Sequence, residues 1–144
     1  MNRLEPDQKI LITHGLVSIL ISLILGWVLG IAMLQDWPSR AHLRGIHVTA
    51  LQMGFLLILF GLVTPFTSLS EAAKRRWGGL LALGGYLFYL PAILGVMWGV
   101  GGLQWTSDIR NDVVFILGTV GTLLISAAVP VLAWGVLRGE RRQS

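Results

Sequence analysis

Arg40–Phe66 reads RAHLRGIHVTALQMGFLLILFGLVTPF. From Met53 to Val63 it holds no charged or amide side chain, while its first turns carry two histidines, two arginines, a threonine and a glutamine. Crossing a hydrocarbon core takes roughly 20 helical residues, and this run is long enough. Ionisable groups at the mouth of such a span are costly, which makes them candidate functional positions.

Working outward, four apolar runs stand out, at about 10–34, 42–66, 77–100 and 113–137. Backbone groups in lipid must be satisfied within the segment, so each run reads as a helix. The expected fold is all-α, an integral membrane four-helix bundle forming one domain over 1–144. Composition agrees: 54% of residues are hydrophobic and 12% charged, where a soluble domain carries about 25% charged residues. The first run is longer than a signal-peptide core and no A-x-A-like site follows it, so it reads as a retained span. With no cysteine, disulfides, thiolate haem ligation and covalent c-type haem are excluded.

The net charge of +4 is topological. Arg3, Lys9, Lys74, Arg75, Arg76, Arg138, Arg141 and Arg142 fall on one side of the expected bundle, and Arg40, Arg44 and Arg110 on the other. The positive-inside rule then puts both termini in the cytoplasm of a bacterial-type inner membrane, with the bilayer rather than nucleic acid as partner. Trp37, Trp77, Trp98, Trp105 and Trp134 lie near span ends, where an aromatic belt sits.

Small and polar residues mark the packing faces. His14, Ser18, Ser22, Gly26 and Gly30 recur every fourth residue in the first helix, a seam that lets a neighbour approach. Gly118, Thr122, Ser126 and Pro130 repeat the device in the fourth, and the third is rich in glycine. His14 reads either as a seam residue facing protein or as an interfacial residue at headgroup level.

On an ideal helix His42, Thr49 and Met53 share a face flanked by Gly45 and Gln52. His47 lies roughly 140° away from His42, so the two do not converge on one metal ion. His42 has two readings. As a neutral imidazole it can ligate haem iron, with Gly45 leaving room beside a porphyrin and Arg40 and Arg44 placed for propionates. Alternatively it is an interfacial residue and the arginines snorkel. Tyr89, near mid-membrane, needs a partner for its hydroxyl: a substrate oxygen or a neighbouring helix. The carboxylates lie at loops and termini, and no Ser/His/Asp set or phosphate-binding loop is present.

His14-Gly15 in the first helix, Arg40-Ala41-His42 and Gly54 in the second, Phe88-Tyr89-Leu90 in the third and Asn111-Asp112 opening the fourth form an ordered set of short motifs over most of the chain. In order and spacing the set resembles the styrene oxide isomerase family of small four-helix membrane proteins. The resemblance implies haem b bound between subunits of a homotrimer, with His42 as axial ligand. It further implies ferric iron acting as a Lewis acid on a small apolar epoxide, a 1,2-hydride shift giving an aldehyde, and Tyr89 helping to hold the oxygen. Where the family carries asparagine then glycine, this chain has Val48 and Thr49. Valine cannot donate a hydrogen bond, so Gln52, one turn on, is the candidate substitute. His47 is the alternative iron ligand.

Overall fold

The computed structural model describes residues 4–140. Arg3, Arg141 and Arg142, part of the charge bias, lie outside them. Four helices follow in order: α1 (Pro6–Leu34), α2 (Arg40–Val63), α3 (Glu71–Trp98) and α4 (Ile109–Glu140). Each is long and apolar enough to cross a membrane, and the protein is a multi-pass membrane four-helix bundle.

α1 and α3 begin before their apolar runs because their polar first turns are capped as helix. Pro6 takes the first helical position of α1, where its missing N–H costs nothing. There Glu5 and Gln8 close a capping box. Ser70 caps α3 by accepting the Ala73 amide at 3.3 Å. α2 stops where Pro65 enters a 3-10 turn, Thr64–Phe66. α3 stops at Gly99, whose φ of 70° suits glycine.

Two antiparallel hairpins make the bundle, α1 on α2 and α3 on α4, and each is fastened where glycine lets backbones meet. A Cβ on Gly15 would lie 2.7 Å from the Gly54 carbonyl oxygen, and one on Gly54 would lie 2.8 Å from the Gly15 oxygen. A Cβ on Gly121 would lie 2.6 Å from the Phe88 nitrogen. Such crossings are how membrane helices gain contact where no hydrophobic effect separates core from solvent. The hairpins join through Leu57, Leu81, Tyr89 and Leu132, all fully buried. At the end holding the N-terminus, Arg75 Nε approaches Asp7 at 3.6 Å, tying α3 to α1. Large apolar side chains such as Leu20, Trp27, Leu59 and Leu123 point outward, as a lipid solvent requires.

Candidate active site

A cavity of about 370 Å³ lies between α2, α3 and α4 at the end opposite the N-terminus. His42, Gly45 and Thr49 supply one wall because positions three and seven residues apart share a helix face. α3 contributes Phe88 and Tyr89, and α4 contributes Phe115, Gly118 and Thr119. Gly101, Gly102 and Leu103 of the α3–α4 connection complete it. A Cβ added at Gly45, Gly101 or Gly118 would meet nothing within 4 Å, so these glycines face open space. Ala41, Gly45, Leu103 and Thr119 are exposed, so the cavity opens on the outer side of α2 and α4.

The α3–α4 connection is held in place by the first turn of α4. Buried Asn111 accepts the Gly102 amide through Oδ1 at 2.8 Å and donates from Nδ2 to the Gln104 carbonyl at 2.7 Å. Asp112 Oδ1 accepts the Thr106 amide at 2.7 Å. Arg110 donates to both carboxylate oxygens of Asp108, at 3.2 and 2.9 Å, and holds that carboxyl below the usual range. The Asn-Asp pair opening α4 therefore fixes a wall of the cavity.

The three histidines have separate surroundings. His47 faces α1: its Nδ1 donates to the Ser22 carbonyl at 2.7 Å, while Ser22 Oγ donates to the His47 carbonyl at 2.9 Å. That exchange fixes the proton on Nδ1, and His47 borders a separate apolar groove with Trp27 and Gly30. His14 faces protein, its Nδ1 3.1 Å from the Tyr86 hydroxyl. Among the described residues the His42 side chain makes no hydrogen bond, and it borders the cavity. Arg40 pairs with Asp36 one turn back, whereas Arg44 is exposed.

Of the expected polar groups, Thr49 and Tyr89 meet at the His42 cavity. Gln52 instead borders the adjoining cavity with Thr122 and Ser126, sharing Thr49 and Phe88 with the first. Val48, 39% exposed, is on the outside of the bundle. Tyr89 is 1% exposed and its hydroxyl lies 3.1 Å from Ser18 Oγ, so its partner on the neighbouring helix is a side chain.

The sequence model described as styrene oxide isomerase matches residues 7–137. The chain belongs to the styrene oxide isomerase family. Hydroxylaminobenzene mutase HabA of Ectopseudomonas oleovorans is similar to it, 28% identical over 140 residues that cover 91% of this chain and 99% of HabA. Hydroxylaminobenzene mutase HabB of the same organism is 28% identical over 97 residues, 67% of this chain and 56% of HabB. Family and relatives together support a membrane isomerase or mutase. The family match takes in every helix, so the motifs of α1, α2, α3 and α4 fall in one matched stretch.

Sequence reasoning did not single out Phe115, Gly118, Thr119 and the Gly101–Leu103 turn as site residues. Gly118 reads as part of a packing seam, and only the fold shows that it faces space while Gly121 makes the helix crossing. The Gly-Val-Gly-Gly run at 99–102 was the one available signal, since consecutive glycines leave a wall without side chains.

Proposed function

We propose that this protein is a haem b-dependent membrane isomerase that opens a small aromatic epoxide to an aldehyde. The observation that carries the reading is the convergence of His42 and Tyr89 on one mainly apolar cavity. The residues suit the cofactor. Among the described residues the His42 ring takes no hydrogen bond, and Gly45 and Gly118 leave flat walls; exposed Arg44 lies about 160° around α2 from His42 and does not line the cavity. Bound haem would supply a ferric Lewis acid for the epoxide oxygen.

The chain's own part is to bind, orient and keep water out. Phe88 and Phe115 offer aromatic surface to a substrate that partitions from lipid. Tyr89 donates a hydrogen bond to the oxygen as the adjacent C–O bond breaks with its electron pair moving to oxygen. Hydride then migrates with its pair to the electron-poor carbon, and the oxygen pair closes the carbonyl. No electron or proton leaves the substrate, so the reaction needs no co-reactant. The cavity is at the small end of ligand sites, which run from about 300 to 1,000 Å³, and it opens outward. Exposed Gln52, Thr122 and Ser126 lie on that side, where lipid would leave polar groups poorly satisfied. A second copy covering this face, as in a homotrimer, would complete the site. Both termini face the cytoplasm of an inner membrane in this reading, on the bias of basic residues.

A second substrate class follows from the likeness to HabA over 91% of the chain: an aryl hydroxylamine, with its N–O oxygen at the place of the epoxide oxygen. One experiment separates the readings. Detergent-purified protein is loaded with haemin, its visible spectrum recorded, and the ferric form given styrene oxide and hydroxylaminobenzene in parallel. The expected result is a Soret band and aldehyde from the epoxide. Turnover of hydroxylaminobenzene alone would move the assignment to the mutase reading, and absence of a Soret band would remove the haem.

A further inference from the structure

Behind Tyr89 stands a serine that the reaction has not yet used. Ser18 is 1% exposed, near the middle of α1, and its Oγ lies 3.1 Å from the Tyr89 hydroxyl. Only one proton can occupy the line between two hydroxyls, so its direction decides what Tyr89 offers the cavity. If Tyr89 donates to Ser18, it presents lone pairs to a substrate and repels an oxygen. If Ser18 donates to Tyr89, the phenolic proton is left for a group bound in the cavity that Tyr89 borders.

Local structure favours the second direction. A helical hydroxyl ordinarily folds back onto the carbonyl four residues earlier. Thr64 does so onto Phe60 at 2.6 Å, Thr119 onto Phe115 at 2.8 Å and Thr122 onto Gly118 at 2.9 Å. Ser18 does not. The carbonyl it would use, that of His14, is instead approached by the Tyr86 hydroxyl at 3.5 Å. Ser18 therefore keeps a proton to give, and the Tyr89 hydroxyl at 3.1 Å is an acceptor within reach. A donated bond also strengthens the next one along the chain.

We infer that Ser18 is a positioning residue: it donates to Tyr89 and thereby turns the Tyr89 hydroxyl into a hydrogen-bond donor for the substrate oxygen. The inference rests on the reading of Tyr89 under the proposed function, and two measurements separate the two. The first needs no activity. The chain has two tyrosines, so the Tyr89 signal of the full-length protein in detergent is the part of the spectrum lost in Tyr89→Phe, with Tyr86 kept in place. The ring C–O stretching band of Tyr89 reports whether the phenol donates or accepts. Adding Ser18→Ala should shift the band in the sense of a lost accepted bond. A shift in the sense of a lost donated bond, or no shift, overturns the inference even if the protein turns over no substrate.

The second measurement is kinetic, on haem-loaded protein. Ser18→Ala should lower kcat by about three- to tenfold with KM little changed, the size of one neutral hydrogen bond. In the Tyr89→Phe background the same change should cost nothing further. An equal loss in both backgrounds, or a raised KM at unchanged kcat, would overturn the positioning role. The Ser18→Ala/Tyr89→Phe pair removes both partners at once, leaves no buried polar orphan and so keeps the comparison open if Ser18→Ala alone folds poorly.

Discussion

Gly118 and Gly121 differ by one helical turn of α4 and by everything around them, so replacing each with alanine tests the packing and the cavity separately. A Cβ on Gly121 would lie 2.6 Å from the Phe88 nitrogen, 2.7 Å from the Gly84 oxygen and 2.8 Å from the Leu87 carbonyl carbon. All three are backbone atoms, so no side chain can swing aside. Ordinary contact begins near 3.4 Å, and α3 and α4 must part by close to an ångström. Overpacking of this kind costs about 1–3 kcal/mol, and rigid backbone contacts put it at the upper end. The alanine recovers about 1 kcal/mol of helix propensity, leaving a net loss of ~2 kcal/mol. For a chain of this size that lowers the melting temperature by roughly 4–8 °C. Gly118→Ala meets nothing within 4 Å, so it should melt at or slightly above the parent. Its methyl enters the His42 cavity and should weaken ligand binding there. Thermal unfolding in mild detergent, followed by size-exclusion of the heated samples, gives both values. A Gly121→Ala protein as stable as the parent, or a Gly118→Ala protein less stable than it, would refute the assignment of these two glycines.

Three further outcomes are expected. His42→Ala should abolish haem incorporation, read as loss of the Soret band, while His47→Ala should keep the band and lose some thermal stability through the broken exchange with Ser22; the reverse pattern would move the ligand to α2's other face. Tyr89→Phe should slow epoxide turnover by roughly 10²–10³ with haem retained, the usual effect of removing one preorganised donor at a developing oxyanion; unchanged kcat would remove Tyr89 from the reaction. A C-terminal alkaline phosphatase fusion should be inactive because it stays in the cytoplasm, and a fusion in the α3–α4 connection, carried to the periplasm, active, as the charge bias requires.

Much of the fold was legible because a membrane span needs only length and apolarity, and Ile10–Leu34 or Val113–Leu137 declares both. The polar first turns were not legible from hydropathy. Residues such as Pro6 and Glu71 join helices through caps, which are local hydrogen-bond events that an apolar count does not register. The shared face of His42 and Thr49, flanked by Gly45, followed from helical periodicity, and the structure brings these residues to one cavity, while Met53 of the same face is buried in the core. Gln52 also belonged near that face by periodicity, yet it borders the next cavity. Periodicity gives the angle around one helix and not where a second helix, here α4 at Thr122 and Ser126, will close against it.

The same limit explains the histidines. Periodicity separates His42 from His47 but does not say which of them the bundle consumes as structure. That depends on α1, and α1 meets α2 along a line set by Gly15 against Gly54. Once that crossing is fixed, the antiparallel register carries Ser22 to His47, and the exchange of hydrogen bonds between them spends the Nδ1 proton of His47 on a carbonyl. The parallel packing of α1 on α3 likewise carries His14 to Tyr86 and Ser18 to Tyr89. His42 lies beyond the reach of α1 on the opposite face of α2, and its counterpart is a turn of glycines rather than a hydrogen-bonding side chain. A ring left without a partner among the described residues, at the edge of an apolar cavity, is available to an incoming ligand in a way the other two are not. Position along the sequence left His42 and His47 as candidates; the crossing of α1 over α2 is what distinguishes them.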